Sequence, residues 1–225
     1  MAEVTLGDMV QNGTMSAEIA ATLATAAAER RSLLLIAIPR MAGKTTTMEA
    51  ALAYAPEGTA FHKLDAALGS GLGIPDAADG GYLQMAEIAQ TDFSHYLWGE
   101  PVRHVFSALE RGFSLATALH APGIDEAFSV ICEGNDVPDE HAGRIDLAVY
   151  IRSLGDDWRN PERRAIAEVR EIDSVVGGSP QGRTLFLWNE ERDRFEAHER
   201  PRIIGSEVGG LEERAAAFAR GADGA

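Results

Sequence analysis

Gly43, Lys44 and Thr45 are the residues of this sequence best placed to do chemistry. Glycine lets a backbone approach a ligand closely, lysine supplies a long cationic arm, and a threonine hydroxyl can ligate a hard cation. They follow an apolar run over residues 33–38 and open a stretch of helix formers, so the order is buried strand, tight loop, helix. In such an arrangement the loop amides and the helix N-terminus cradle phosphates, the lysine reaches the β- and γ-phosphates, and the hydroxyl holds Mg²⁺. The predicted nucleotide contacts are Arg40, Met41, Ala42, Gly43, Lys44, Thr45 and Thr46, with Thr45 also on the metal. The full pattern is Gly-x-x-x-x-Gly-Lys-[Ser/Thr]. Its first position holds Ile38, followed by Pro39. A β-branched residue resists φ > 0, so the expectation is that binding survives on the later amides while the geometry at the γ-phosphate departs.

Acids that could serve such a site end predicted strands. Glu87 closes the apolar run 82–88, where a carboxylate can polarise an attacking water. Glu100, just before Pro101, is its rival, although an acid there also suits the first turn of the helix that follows. Asp65 ends the run 59–65 and is a candidate for metal or water, or a turn cap. His120 follows the run 113–119, at the carboxyl edge where α/β sheets bind ligands, and is a candidate γ-phosphate sensor or relay. The other five histidines lack metal-ligand spacing, which argues against zinc. Arg103, Arg111, Arg163 and Arg164 are candidates to reach a neighbouring subunit's nucleotide, or are ordinary surface arginines.

The elements that must hold these residues alternate along the chain. A short helix over 6–10 breaks at Asn12-Gly13, and Ser16 caps an Ala-rich helix ending at Arg30-Arg31, a basic pair suited to the negative end of the dipole. Strands over 33–38, 59–65, 82–88 and 113–119 alternate with helices over 46–54, 101–110 and 124–131, which specifies a parallel sheet covered on both faces. Residues 69–81 read as a loop. Strands over 145–151, 165–172, 184–188 and 194–198, joined by turns such as Gly177-Gly178-Ser179-Pro180, predict antiparallel additions, and a helix over 211–220 follows. The expected division is a helical lead-in over 1–32 and a core over 33–225.

The sequence of 225 residues suits one domain. A net charge of −15 and a pI near 4.8 argue against a nucleic-acid partner. The single cysteine, Cys132, excludes a disulfide framework and sits in an apolar stretch, as a buried, inert thiol would. The first residues lack signal-peptide character and no run reaches the roughly 20 apolar residues of a membrane span. The expected location is therefore the cytoplasm, with a partner bringing the chain to a membrane if it works there.

Taken in order, these segments resemble the type II/IV secretion system ATPases, the hexameric motors of bacterial pilus assembly, secretion and conjugation. Residues 5–19 are similar to the segment before the motor core, residues 42–47 to the end of its Walker A motif, and Met85-Ala86-Glu87-Ile88 to its Walker B element. Residues 112–127, with Leu119-His120 and later Glu126-Ala127, resemble the family's His box, and residues 144–149 its C-terminal half. The resemblance implies a P-loop NTPase (RecA-like) three-layer core with a mostly parallel sheet and antiparallel C-terminal strands. It implies ATP and Mg²⁺ as ligands, Glu87 and His120 as catalytic residues, and a ring at the membrane with secretion or pilus components. Departures are Ile38, the missing arginine after Glu87, the single acid at Asp65, extra residues between Glu87 and Glu100, and no counterpart of the family's N-terminal domain. They leave two functions in play: an ATPase, with slow turnover, that drives or regulates such a machine, or a non-catalytic adaptor.

Overall fold

The structure, a computed structural model, describes residues 4–39, 41–77, 79–157, 159–206 and 210–221. Its organising element is β1 (Leu33–Ile38), whose residues 33–37 are fully enclosed. A strand with no polar face can only lie mid-sheet under cover on both sides. Leu33, Leu35 and Ala37 face one apolar cluster, and Leu34 and Ile36 the other. Each such buried Leu or Ile contributes roughly 2 kcal/mol of burial.

On the first face lie α1 (Leu6–Gln11), α2 (Ala17–Ala28), α3 (Lys44–Leu52) and α7 (Leu211–Ala219). The second face carries α4 (Glu100–Ala108), α5 (Ile124–Cys132) and α6 (Asp139–Ala142). The fold is thus mixed α/β in three layers. Among the described residues one sheet of nine strands runs between them. It adds β2 (Phe61–Lys63), β3 (Tyr82–Ile88), β4 (Tyr96–Leu97), β5 (Ser114–Leu119), β6 (Leu147–Leu154), β7 (Arg163–Val176), β8 (Ser179–Asn189) and β9 (Arg194–Ala197). The order is β2-β3-β5-β1-β6-β7-β8-β9, with β4 paired to β3. Pairing is parallel from β2 through β6 and antiparallel from β6 through β9, as the alternating and then turn-punctuated halves of the sequence predict.

Local chemistry sets the ends of these elements. Thr5 and Asp8 form a reciprocal capping box on α1, and the Ser16 hydroxyl accepts from Ile19 N–H to start α2. Gly177 and Gly178 both have positive φ, which closes the β7–β8 hairpin, and the Asp139 carboxylate accepts both of their N–H groups at 2.6 and 2.9 Å.

Two expectations need correction, and two short elements add to them. Helix α2 ends at Ala28, before the basic pair. Arg30 takes φ 54° to turn the chain into β1, and Arg31 reaches Glu29 and the Ile203 carbonyl instead of the last turn. Strand β2 stops at Lys63, because Asp65 caps a 3₁₀ turn over Ala66–Leu68. The short strand β4 and helix α6 went unpredicted, since two or four residues carry no periodicity. Cys132 is half-buried, and burial pushes its thiol up to about 11, in line with an inert group.

Glu171, fully buried in β7, fastens the segment before α7 to the sheet. Its carboxylate accepts the N–H groups of Arg202, Ile203 and Ile204 at 2.7, 2.8 and 2.9 Å. Replacing it with glutamine swaps one acceptor for a donor facing those amides. The expected cost is about 1–3 kcal/mol, read as a fall in melting temperature of roughly 3–10 °C for Glu171→Gln. An unchanged melting curve would contradict this anchoring role.

Candidate functional site

The sheet's topology places a crevice before any side chain is considered. Strands β1 and β5 are neighbours, yet the helix leaving β1 packs on one face and the helix leaving β5 packs on the other. Loops that part in this way leave a gap at the carboxyl ends of the strands, where open α/β sheets take their ligands. Gly43 ends the loop after β1 with φ 96° and caps α3 without any side chain. The first turn of α3 carries no acid, and the positive end of the helix dipole faces the gap.

Lys44, at the start of α3, is only 7% exposed. Its ammonium lies 3.5 Å from Glu87 Oε2 and 3.2 Å from His120 Nε2. Glu87 Oε1 in turn lies 3.2 Å from His120 Nε2. Three candidates, more than forty residues apart from first to second and thirty-three from second to third, thus converge on one point.

Two features of the sheet bring this about. Register between β3 and β5 shifts between Met85 and Ile88, because β3 holds one extra residue there. Such a bulge re-aims side chains. It leaves Ala86 exposed, while Glu87 is buried against Lys44. His120, one residue beyond β5, places Nδ1 3.0 Å from the Ala37 carbonyl. Its Nδ1–H can donate to that carbonyl, and the Lys44 ammonium, 3.3 Å from Nδ1 and 3.2 Å from Nε2, lies against the ring as a whole.

A cavity of about 610 Å³ opens over this cluster, within the range of small-molecule sites. Met41 through Thr47 form one wall, and Glu87, Tyr96 and His120 another. Arg164, from the start of β7, donates from Nε and Nη2 to the Met41 carbonyl at 3.3 and 3.1 Å. Met9, Asn12 and Thr14 complete the rim. A second cavity of about 430 Å³ shares Lys44 and Thr45 and extends along α3 to Lys63, Asp65 and Gln84.

Of the predicted nucleotide contacts, Met41, Ala42, Gly43, Lys44, Thr45 and Thr46 all line the larger cavity, while Arg40 lies outside the described residues. Asp65 lies beside the smaller cavity with its Oδ1 accepting from Ala67 N–H at 2.8 Å. That bond, followed by one from Ser94, holds its carboxyl below the usual range. Glu100 sits in the first turn of α4, outside either cavity lining. Ile38 completes β1 opposite Arg152, and among the described loop residues Met41, at φ 64°, and Gly43 are left-handed.

Sequence reasoning grouped Arg164 with three other arginines. The structure separates them: Arg103 reaches the Asn135 carbonyl, Arg111 the Pro75 carbonyl, and Arg163 pairs with Asp193. Tyr96, Asn12 and Thr14 were missed. The Asn12-Gly13 break and the likeness of residues 5–19 to the segment before a motor core marked that stretch, but neither pointed to these side chains as a cavity rim.

Among the described residues no three His, Cys, Asp or Glu side chains gather as a metal site, and no helix is long and apolar enough to cross a membrane. No protein-family profile and no curated protein sequence matches the chain. Among solved structures it is similar to the crystal structure of the VirB11 ATPase from the Brucella suis type IV secretion system in complex with sulphate. Identity is 16% and the TM-score 0.46, over 66% of this chain and 50% of that one. The chain thus spans about half the length of that protein.

Lys44 and Glu87 are both more than nine-tenths buried as side chains, so removing one strands the other's charge. Glu87→Ala is expected to lose about 3 kcal/mol in urea unfolding, and Lys44→Met with Glu87→Leu to recover most of it. A double-variant loss equal to the sum of the losses in Lys44→Met and Glu87→Leu alone would show that the pair is not coupled.

Proposed function

We propose that the chain is a P-loop NTPase core that binds ATP with Mg²⁺ in the larger cavity and hydrolyses it slowly. The observation that carries this is the buried Lys44 ammonium at the open N-terminus of α3, facing a carboxylate and an imidazole across a crevice. A cation, a helix N-terminus and an acid-free first turn form an anion site, and they do so in a protein of net charge −15.

The residues support a division of labour. Lys44 neutralises the β- and γ-phosphates by exchanging its contacts with Glu87 and His120 for phosphate oxygens. Glu87, released from Lys44, accepts a proton from water as the water oxygen attacks the γ-phosphorus; the bond to the bridging oxygen breaks, giving ADP and phosphate. His120, between Glu87 and the Ala37 carbonyl, orients that carboxylate and senses the terminal phosphate.

Magnesium fits this chain in a limited way. Mg²⁺ is usually held by one or two protein groups with phosphates and waters, and the exposed Thr45 hydroxyl in the first turn of α3 provides one. Asp65, turned to its own cap, is the further candidate from the smaller cavity. When bound, the metal would neutralise charge on the β- and γ-phosphates.

The biological setting follows from the sequence resemblance: a motor core of the secretion or pilus-assembly type, working as an oligomer with components of a membrane machine. The adaptor alternative keeps the fold without turnover. Wild-type protein is expected to melt several degrees higher with millimolar Mg·ATP, and Lys44→Ala to lose that shift. Steady-state phosphate release is expected to fall at least a hundredfold in Glu87→Gln. Identical melting of wild type and Lys44→Ala, with and without Mg·ATP, would remove the nucleotide site; a ligand shift without phosphate release would leave the adaptor.

A further inference from the structure

We infer that Arg164 acts on its own chain's phosphate loop as a positioning residue, holding the loop open and adding its charge to the bound polyphosphate. This rests on the nucleotide site proposed above. Two observations converge on it.

The first concerns backbone shape. Among the described residues of the loop, Met41, at φ 64°, and Gly43, at φ 96°, are left-handed. For a side chain such as methionine that conformation costs on the order of 1–2 kcal/mol and persists only where neighbours hold it. Met41 is 62% exposed, so its own side chain supplies little packing. What holds it is the pair of bonds from Arg164 Nε and Nη2 to its carbonyl. The Arg164 stem also lies against Gly43, where an added Cβ would come within 3.1 Å of Cδ. One distant arginine therefore touches both turning points of a loop whose first half departs from the usual glycine pattern.

The second concerns charge. Arg163, its neighbour, spends its charge on Asp193 and the Gly13 carbonyl. Arg164 spends two of its five N–H groups on a neutral carbonyl and, among the described residues, forms no ion pair. Its guanidinium lines the cavity in which Lys44 is already compensated by Glu87. Among the described residues, an arriving polyphosphate thus meets Arg164 as an uncompensated cation.

Its placement is rigid. The first residues of β7 run past the end of β8, whose pairing begins at Glu168. They bind the rim instead: Arg163 donates to the Gly13 carbonyl at 2.9 Å and Ile166 N–H to the Thr14 carbonyl at 2.8 Å. Arg164 is held between these two anchors, on the same chain as the loop it grips.

The test is calorimetric titration of the full chain with Mg·ADP and Mg·ATPγS. Arg164→Met is expected to weaken both ligands roughly ten- to hundredfold, the scale of charge-assisted hydrogen bonds, with the unliganded melting temperature lowered by no more than about 2–4 °C. Arg164→Lys keeps the charge but not the two-pronged grip and is expected to recover only part of the affinity. An equimolar mixture of Arg164→Met and Lys44→Ala should bind no better than the two measured apart. Wild-type affinity in Arg164→Met overturns the inference, as does an affinity loss accompanied by a fall in unliganded melting temperature of about 10 °C or more, which would mark general unfolding. Rescue in the mixture would place the arginine in trans and also overturn it. Binding abolished by Lys44→Ala but kept by Arg164→Met sinks this inference alone; no binding by the wild type removes the nucleotide site and the inference with it.

Discussion

A cation buried at the first position of a helix is the constraint on which the rest of this structure depends. The Lys44 ammonium cannot lose water without gaining partners, and isolated burial would cost several kcal/mol. The fold meets that demand with Glu87 and His120, drawn from two other strand ends. Satisfying the ammonium requires β1, β3 and β5 to end at one level and α3 to start there. The order β3-β5-β1 and the bulge in β3 supply that geometry. The arrangement also suits an incoming anion, which can replace Glu87 and His120 as partner to the ammonium without leaving it unpaired.

The C-terminal half is coupled to the same point. Its antiparallel strands extend the sheet beyond β6, and the protruding start of β7 returns to the cavity to meet residues 13, 14 and 41. The N-terminal helices close the other side, with Met9 beneath Thr47 at 3.9 Å and Asn12 and Thr14 on the rim. Segments far apart in the chain thus build one wall each. That explains why the cavity is larger than the loop and helix alone would enclose.

How much of this was legible in the sequence follows from the range of the interactions. Strand β1 declared itself by a continuous apolar run, and Lys44, Glu87 and His120 by their places at strand and helix ends, all local signals. The parallel-then-antiparallel sheet followed from the change in punctuation after residue 145. Asp65 was read as a strand end with a turn cap as its alternative; the strand stops at Lys63 and the cap is what forms. The aim of Glu87 depends on a bulge, and a bulge is visible only once β3 is paired with β5. Arg164 was one arginine in four until the register of β6 and β7 set it opposite Ser153, within reach of Met41. Ile38 carried more weight in the sequence than in the structure, where it simply completes β1.

The most direct measurement of the central claim is a crystal structure of the full chain with Mg·ADP. The account predicts the β-phosphate at the N-terminus of α3, within hydrogen-bond distance of the loop amides, with the Lys44 ammonium moved from Glu87 onto a phosphate oxygen. Nucleotide bound elsewhere, or a bound phosphate beside a Lys44 still paired with Glu87 and His120, would contradict it.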